Sequence, residues 1–334
     1  MVKRAGFLLV GLMCGLQLVF GQQTQAPEWK HGLEFRVRKA GEPDFKKDTR
    51  RFGCEIFQDR NTNQWIAISE TGWLGALRAT AAAGKGGQPP KWLHGLELKC
   101  RKAGEADFTR DTQRWGIEVF RDDATNHLVY VCETGALGLV PAAGATASPD
   151  PPKPPQWLYG LEVKCRKGGE TDFTKDTKRW GIEVFRDENN GNLVYLTEAG
   201  AIAVIPGAGI SAPSPIKGPR WLHGLDFRVR KADERDFTKE TRNVGAEIFK
   251  DENTNQLFYI TEVGAIAVVP AGGAAGGDTK PPKWLHGLEL KCRKAGEADF
   301  TKDTKRWGIE VFQDPNTGLL VYISETGSLA VPAK

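Results

Sequence analysis

An all-β fold built from five tandem modules is the class that this sequence predicts. Three observations carry it. Trp29, Trp92, Trp157, Trp221 and Trp284 each open a segment of ~50 residues, the segments align without a gap, and successive tryptophans are 63, 65, 64 and 63 residues apart. Within each segment apolar residues alternate with polar ones, the period of a half-buried strand. Between segments the composition changes to Pro, Gly, Ala and Ser, as in 144–156, 207–220 and 271–283.

The elements follow in chain order. At the N-terminus Lys3 and Arg4 precede an apolar run from Ala5 to Phe20, and Val19-Phe20-Gly21 offers small residues at the usual peptidase positions. Residues 1–21 therefore read as a signal peptide, with the exported chain starting at Gln22 and no membrane span left after cleavage. The modules occupy 29–78, 92–141, 157–206, 221–270 and 284–333. In the first, Leu33, Phe35 and Val37 alternate with Glu34, Arg36 and Arg38. A second strand is marked by Trp115, Ile117 and Val119 in module two, and a polar turn such as 187–192 leads to the third, Leu193 to Leu196. Thr326-Gly327-Ser328 punctuates a short last strand, Leu329 to Val331. The stretch from Gly104 to Thr112 reads as a long loop or one helical turn.

That makes about four antiparallel strands per module. Two arrangements satisfy the pattern: small independent modules strung on linkers, or a closed or stacked array such as a five-bladed propeller. Separate modules fit the linkers; the closed array answers the difficulty that a ~50-residue unit buries little surface alone.

Composition limits the partners. The chain has 46 Lys and Arg against 42 Asp and Glu, a net charge of +4. The modules together are slightly acidic and of mixed sign, so the excess of positive charge lies outside them. Nucleic acid is not an expected partner, because phosphate binding needs clustered Lys and Arg. The cysteines do not suggest a disulfide framework. Cys100, Cys165 and Cys292 share a module position with Val37 and Val229, a small apolar site, and Cys132 is expected to face away from Cys100.

Several recurring residues invite chemistry. Glu55, Glu118, Glu183, Glu247 and Glu310 hold one position, and Glu70, Glu133, Glu198, Glu262 and Glu325 another. Paired carboxylates can hydrolyse glycosides, yet five small equivalent sites suit cross-strand pairing with Arg38, Arg101, Arg166, Arg230 and Arg293 better. The turn with Asp187, Asn189 and Gly191 has the alternate oxygens of a short calcium loop, but Ala124 and Pro315 interrupt it in other copies, and a hairpin turn explains the same residues. His31, His94, His223 and His286 are matched by Tyr159, which excludes a metal ligand or catalytic base and leaves a hydrogen-bond donor. The leading tryptophans are expected in the core. No metal or other cofactor, and no nucleotide or phosphate motif, is implied.

The expected function is therefore binding rather than catalysis. Weak identical sites on one chain gain avidity, which suits an exported protein that recognises extracellular glycan or protein surfaces. The expected contacts are the outward residues of the first strand: Arg36 and Arg38, Lys99 and Arg101, Lys164 and Arg166, Arg228 and Arg230, Lys291 and Arg293. A structural surface or matrix repeat without a ligand is the alternative, and a repeat-bearing hydrolase the third reading.

Overall fold

A computed structural model describes residues 25–78, 89–142, 151–207, 210–272 and 280–332. Residues 1–21, expected to be a signal peptide, and much of the connectors lie outside the described residues. Every module forms one four-stranded antiparallel sheet. Module one contains β1 (Glu28–Val37), β2 (Arg50–Asp59), β3 (Gln64–Ser69) and β4 (Leu74–Arg78). Module two has β5 (Lys91–Cys100), β6 (Gln113–Asp122), β7 (His127–Cys132) and β8 (Leu137–Pro141). Module three has β9 (Gln156–Cys165), β10 (Lys178–Arg186), β11 (Leu193–Thr197) and β12 (Ile202–Ile205). Modules four and five add β13 (Arg220–Val229), β14 (Arg242–Asp251), β15 (Gln256–Thr261), β16 (Ile266–Pro270), β17 (Lys283–Cys292), β18 (Lys305–Gln313), β19 (Leu320–Ser324) and β20 (Leu329–Ala330). The stretch from Gly104 to Thr112 is a loop with turns and holds no helix.

Of the two arrangements left open by the sequence, the closed one forms: the sheets are the blades of a five-bladed propeller. The short last strands touch in the cycle β4, β8, β12, β16, β20 and back to β4, so they line the axis, and the first strands form the circumference. Independent modules on a string are ruled out by where the core sits. Leu33, Phe35, Val37 and Cys54 of blade one pack with Phe120, Val129, Val131 and Leu137 of blade two. The same pattern joins blades two and three, three and four, and four and five. Blade five closes on blade one through Leu290, Cys292 and Trp307 against Phe57, Ile66 and Ile68. Each sheet thus contributes half of two cores and owns none. This is how a ~50-residue unit without a disulfide escapes the surface-to-volume limit.

The same arrangement explains why the second and third strands are buried on both faces. The β2 run Phe52 to Phe57 is buried throughout although it contains Gly53 and Glu55. Its glycines allow the blades to approach: a Cβ on Gly53, Gly116, Gly181, Gly245 or Gly308 would collide with the backbone carbonyl of an arginine in the preceding blade. At the β2–β3 turns, Asn63, Asn126, Gly191, Asn255 and Gly318 all have positive φ, from 55° to 77°, which Asn and Gly tolerate best.

The axis is apolar and nearly filled. A cavity of about 50 Å3 remains between Ala76, Leu139, Ala203, Ala267 and Ala330. Trp73 of blade one, which stands where the other blades have Ala136, Ala201, Ala265 and Ser328, packs against the cores shared by blades two and three and by blades three and four. It therefore reaches across the axis.

Candidate functional site at the blade junctions

The long β1–β2 loop of each blade, with the end of its first strand, clasps the next blade. Arg38 donates from Nε and Nη2 to the two oxygens of Glu118, at 2.6 and 3.2 Å, and its Nη1 bonds the carbonyl of Pro43. Arg101 with Glu183, Arg166 with Glu247, Arg230 with Glu310 and Arg293 with Glu55 repeat this bidentate geometry round the ring. The partners expected from the sequence are right, but they pair across blades rather than across strands of one sheet. Hydrogen bonding to the carboxylate raises the pKa of Arg101, Arg166 and Arg293. A glycine makes room for each pair: a side chain at Gly32, Gly95, Gly160, Gly224 or Gly287 would strike the guanidinium and the carboxylate.

The second recurring carboxylate belongs to the same clasp. Glu70, Glu198, Glu262 and Glu325 accept backbone N–H groups from Ala295, Ala103, Gly168 and Ala232 of the preceding blade. Burial raises the pKa of Glu133 and Glu198. Both sets of carboxylates therefore hold the preceding blade, the first through an arginine and the second through backbone N–H groups.

Deeper in the junction, the histidines reach the Asp of the next blade's turn. His31, His94, His223 and His286 place Nε2 at 2.9, 2.8, 3.0 and 3.0 Å from Asp122, Asp187, Asp314 and Asp59. In blade three Tyr159 donates its hydroxyl to Asp251 at 2.6 Å, the role that the His-to-Tyr exchange implied. The turn carboxylates also take the backbone N–H two residues on, and Tyr130, Tyr195, Tyr259 and Tyr322 add hydroxyl donors. Burial pushes the Asp314 carboxyl up, but the hydrogen bond and charge of His223 and the donors of Thr317 and Asn316 outweigh it and hold it at about 2. Asp59, Asp122 and Asp187 are lowered by the same balance. These oxygens are occupied by protein donors, as a capped turn requires, instead of being arranged around a cation.

The leading tryptophans depart from expectation. They are exposed by 45, 42, 40, 42 and 43% for Trp29, Trp92, Trp157, Trp221 and Trp284. A β-bulge in every blade is the cause. The register slips between Trp29 and His31, Trp92 and His94, Trp221 and His223, and Trp284 and His286, and opposite Trp157 in blade three. The extra residue, such as Leu93, Leu158 or Leu222, takes the inward slot and the indole turns out. Each indole N–H donates to the junction glutamate at 2.7–2.8 Å. Its ring meets Phe300, Phe45, Phe108, Phe173 or Phe237 of the preceding blade edge-on, and the clasp arginine lies over both rings.

The predicted contact residues divide into two sets. Arg38, Arg101, Arg166, Arg230 and Arg293 are partly buried in the clasps. Arg36, Lys99, Lys164, Arg228 and Lys291 are exposed on the outer strands, and Arg36 and Arg228 bond the carbonyls of Lys46 and Thr238. All five described cysteines are buried and free, with Cys100, Cys165 and Cys292 aimed at carbonyls of the next blade.

Open cavities sit beside these clasps. One of about 490 Å3 lies between blades three and four, bounded by Arg166, Lys167, Trp221, Asp226, Pro281 and Pro282. Others of about 390 and 370 Å3 occupy the equivalent place between blades four and five and between blades five and one. What the sequence did not disclose about the site is the exposure of Trp, the Phe that braces it and the Pro wall.

No protein-family model matches the chain, and no curated protein matches its sequence. Among solved structures, it is similar to catalytically inactive virginiamycin B lyase from Staphylococcus aureus with quinupristin, at 13% identity over 91% of this chain and 88% of that one. The TM-score is 0.12, so the likeness carries no weight for fold or function. The strand order and blade junctions define the class: a β-propeller repeat protein of five near-identical blades.

Proposed function

We propose that this is an exported, multivalent binding protein that recognises extracellular glycan or protein surfaces through its blade junctions. The observation that carries the reading is the recurrence of one exposed aromatic site, a tryptophan braced by Phe, Arg and Glu, at all five junctions. Equivalent weak sites fixed on one rigid ring engage a surface with high effective concentration. Binding is favoured over catalysis because both recurring carboxylates are spent holding the neighbouring blade. Contact through the exposed Arg36, Lys99, Lys164, Arg228 and Lys291 belongs to the same proposal, and nucleic acid is not among the proposed partners.

The test uses the whole ring, since a single module owns no core. The chain is displayed on glycan and extracellular-protein arrays beside a variant with all five leading tryptophans changed to alanine. Selective binding by the parent and its loss in the variant are expected; equal behaviour of the two sinks the reading. Export is checked separately by sequencing the secreted chain, which is expected to begin at Gln22. The structural reading, a surface repeat without a ligand, is favoured by one observation: the clasp charges are all engaged within the protein. Uniform silence on both arrays would favour it.

A further inference from the structure

We propose that the junction sites take a neutral pyranose at the end of a glycan, and not an acidic sugar. This rests on the binding function proposed above and narrows its ligand. Charge is the first reason. The cavity between blades three and four is lined by three carboxylates (Glu170, Asp226, Glu247) and two cations (Arg166, Lys167), a balance of 2 − 3 = −1. Between blades five and one the count is again three (Glu34, Glu55, Glu297) against two (Arg293, Lys294). Between blades four and five it is four (Asp233, Glu234, Glu289, Glu310) against three (Arg230, Lys231, Arg235). In the cavity between blades three and four a sialylated or sulfated ligand would enter a site that already holds an excess of negative charge, and the deepest cation is neutralised by its bidentate glutamate, whereas in the other two cavities Arg51 and Arg306 pair with Glu34, Asp233 and Glu289 and offset that excess.

The second reason is the division of polar and apolar groups. The Trp221 side chain has its one donor, the indole N–H, committed to Glu247, so it offers a ligand only ring surface. Pro281 and Pro282 line the same cavity, and Pro89 and Pro90 line the cavity between blades five and one, beside which Trp29 stands on the junction glutamate. The rim carboxylates each receive one protein donor, Glu170 from the Lys167 N–H and Asp226 from the Gly169 N–H, and keep further acceptor capacity. Apolar ring and proline surface beside surplus acceptors matches a pyranose, which has one C–H face and a girdle of hydroxyl donors. The volume, about 490 Å3, lies in the range of small-molecule sites.

The experiment is an array of neutral, sialylated, sulfated and amine-terminated glycans probed with the full chain. The best monosaccharide is then titrated by tryptophan fluorescence at 50 and 500 mM NaCl. Neutral glycans are expected to bind, with affinity changed less than about twofold by salt, because no ligand charge is screened. Replacing all five leading tryptophans by alanine is expected to weaken binding tenfold or more, and replacing them by tyrosine to retain it within about threefold. Both variants are to keep the parent's circular dichroism, and should the alanine variant unfold, leucine at the same five positions, which keeps apolar bulk without a ring, takes its place while the salt series decides the ligand charge. Preference for sialylated or sulfated glycans with salt-sensitive affinity, or for amines, overturns the ligand class while leaving multivalent binding intact. Binding by a folded alanine variant within about threefold of the parent's overturns the site itself.

Discussion

Removal of one clasp arginine should cost far more than removal of an exposed ion pair. In the Arg38–Glu118 pair the Glu118 side chain is 2% exposed and Arg38 18%. Arg38→Met leaves a buried carboxylate facing the preceding blade with the Trp92 N–H as its remaining side-chain donor. Breaking a buried pair from one side costs about 3–5 kcal/mol, because the orphaned charge stays desolvated. Removing both charges, Arg38→Met with Glu118→Leu, takes away that penalty and should return stability to within about 1–2 kcal/mol of the parent. The internal control is Arg51 with Glu34, whose side chains are 53% and 34% exposed; its loss should cost less than about 1 kcal/mol. Equilibrium urea unfolding, followed by circular dichroism and tryptophan fluorescence, gives each value. A cost below about 1 kcal/mol for Arg38→Met, or a double variant as unstable as the single, would falsify the view that the clasp is a desolvated, mutually dependent pair.

Three further outcomes are expected. An excised module, residues 89–142 for example, should show no cooperative melt, because its apolar faces have no partner; a sharp transition would place a core inside the module after all. Gly116→Ala should destabilise the ring by about 1–3 kcal/mol through overpacking against the Arg38 carbonyl, read as a shifted urea midpoint; an unchanged midpoint would mean the blades can part without cost. Acid should unfold the ring through Asp59, Asp122, Asp187 and Asp314: with folded values below the unfolded 3.8, their contribution is complete above that pH and is lost as pH falls toward about 2 for Asp314. The raised Glu133 and Glu198 act in the opposite sense, losing their penalty as they protonate. Asp314→Asn should flatten the stability profile between pH 4 and 2 and leave its slope above pH 6 alone; an unaltered acid limb would count against the His223–Asp314 contact as its source.

Local structure was legible in the residues because it depends on period and turn chemistry. Leu33, Phe35 and Val37 alternate inward, and Asn63 or Gly191 takes the positive φ at the turn. The ring was legible only as one of two options. Alternation reports that a face is buried, not which neighbour buries it, and Val37 looks the same whether it meets its own module or Phe120 of the next. The β2 run around Glu55, apolar on both faces and interrupted by one charge, was the available hint of a sheet covered on both sides. Trp exposure was misjudged because one inserted residue reverses the inside–outside pattern, and the sign of it, two adjacent apolar residues in Trp92-Leu93 ahead of His94, is a short one.

The clasps all point the same way, loop of one blade onto outer strand of the next, so they are head-to-tail joints. Joints of that kind generate an endless helix unless their rotation closes. Here the count that closes is enforced at the axis, where a Cβ on Gly75 would press on Leu139 and one on Gly138 on Val204, while Trp73 stoppers what space is left. A gene with four copies would drive those inner strands into one another, and one with six would leave an unfilled hole. Copy number in this protein is therefore a steric quantity, set by the space that the inner strands leave at the axis.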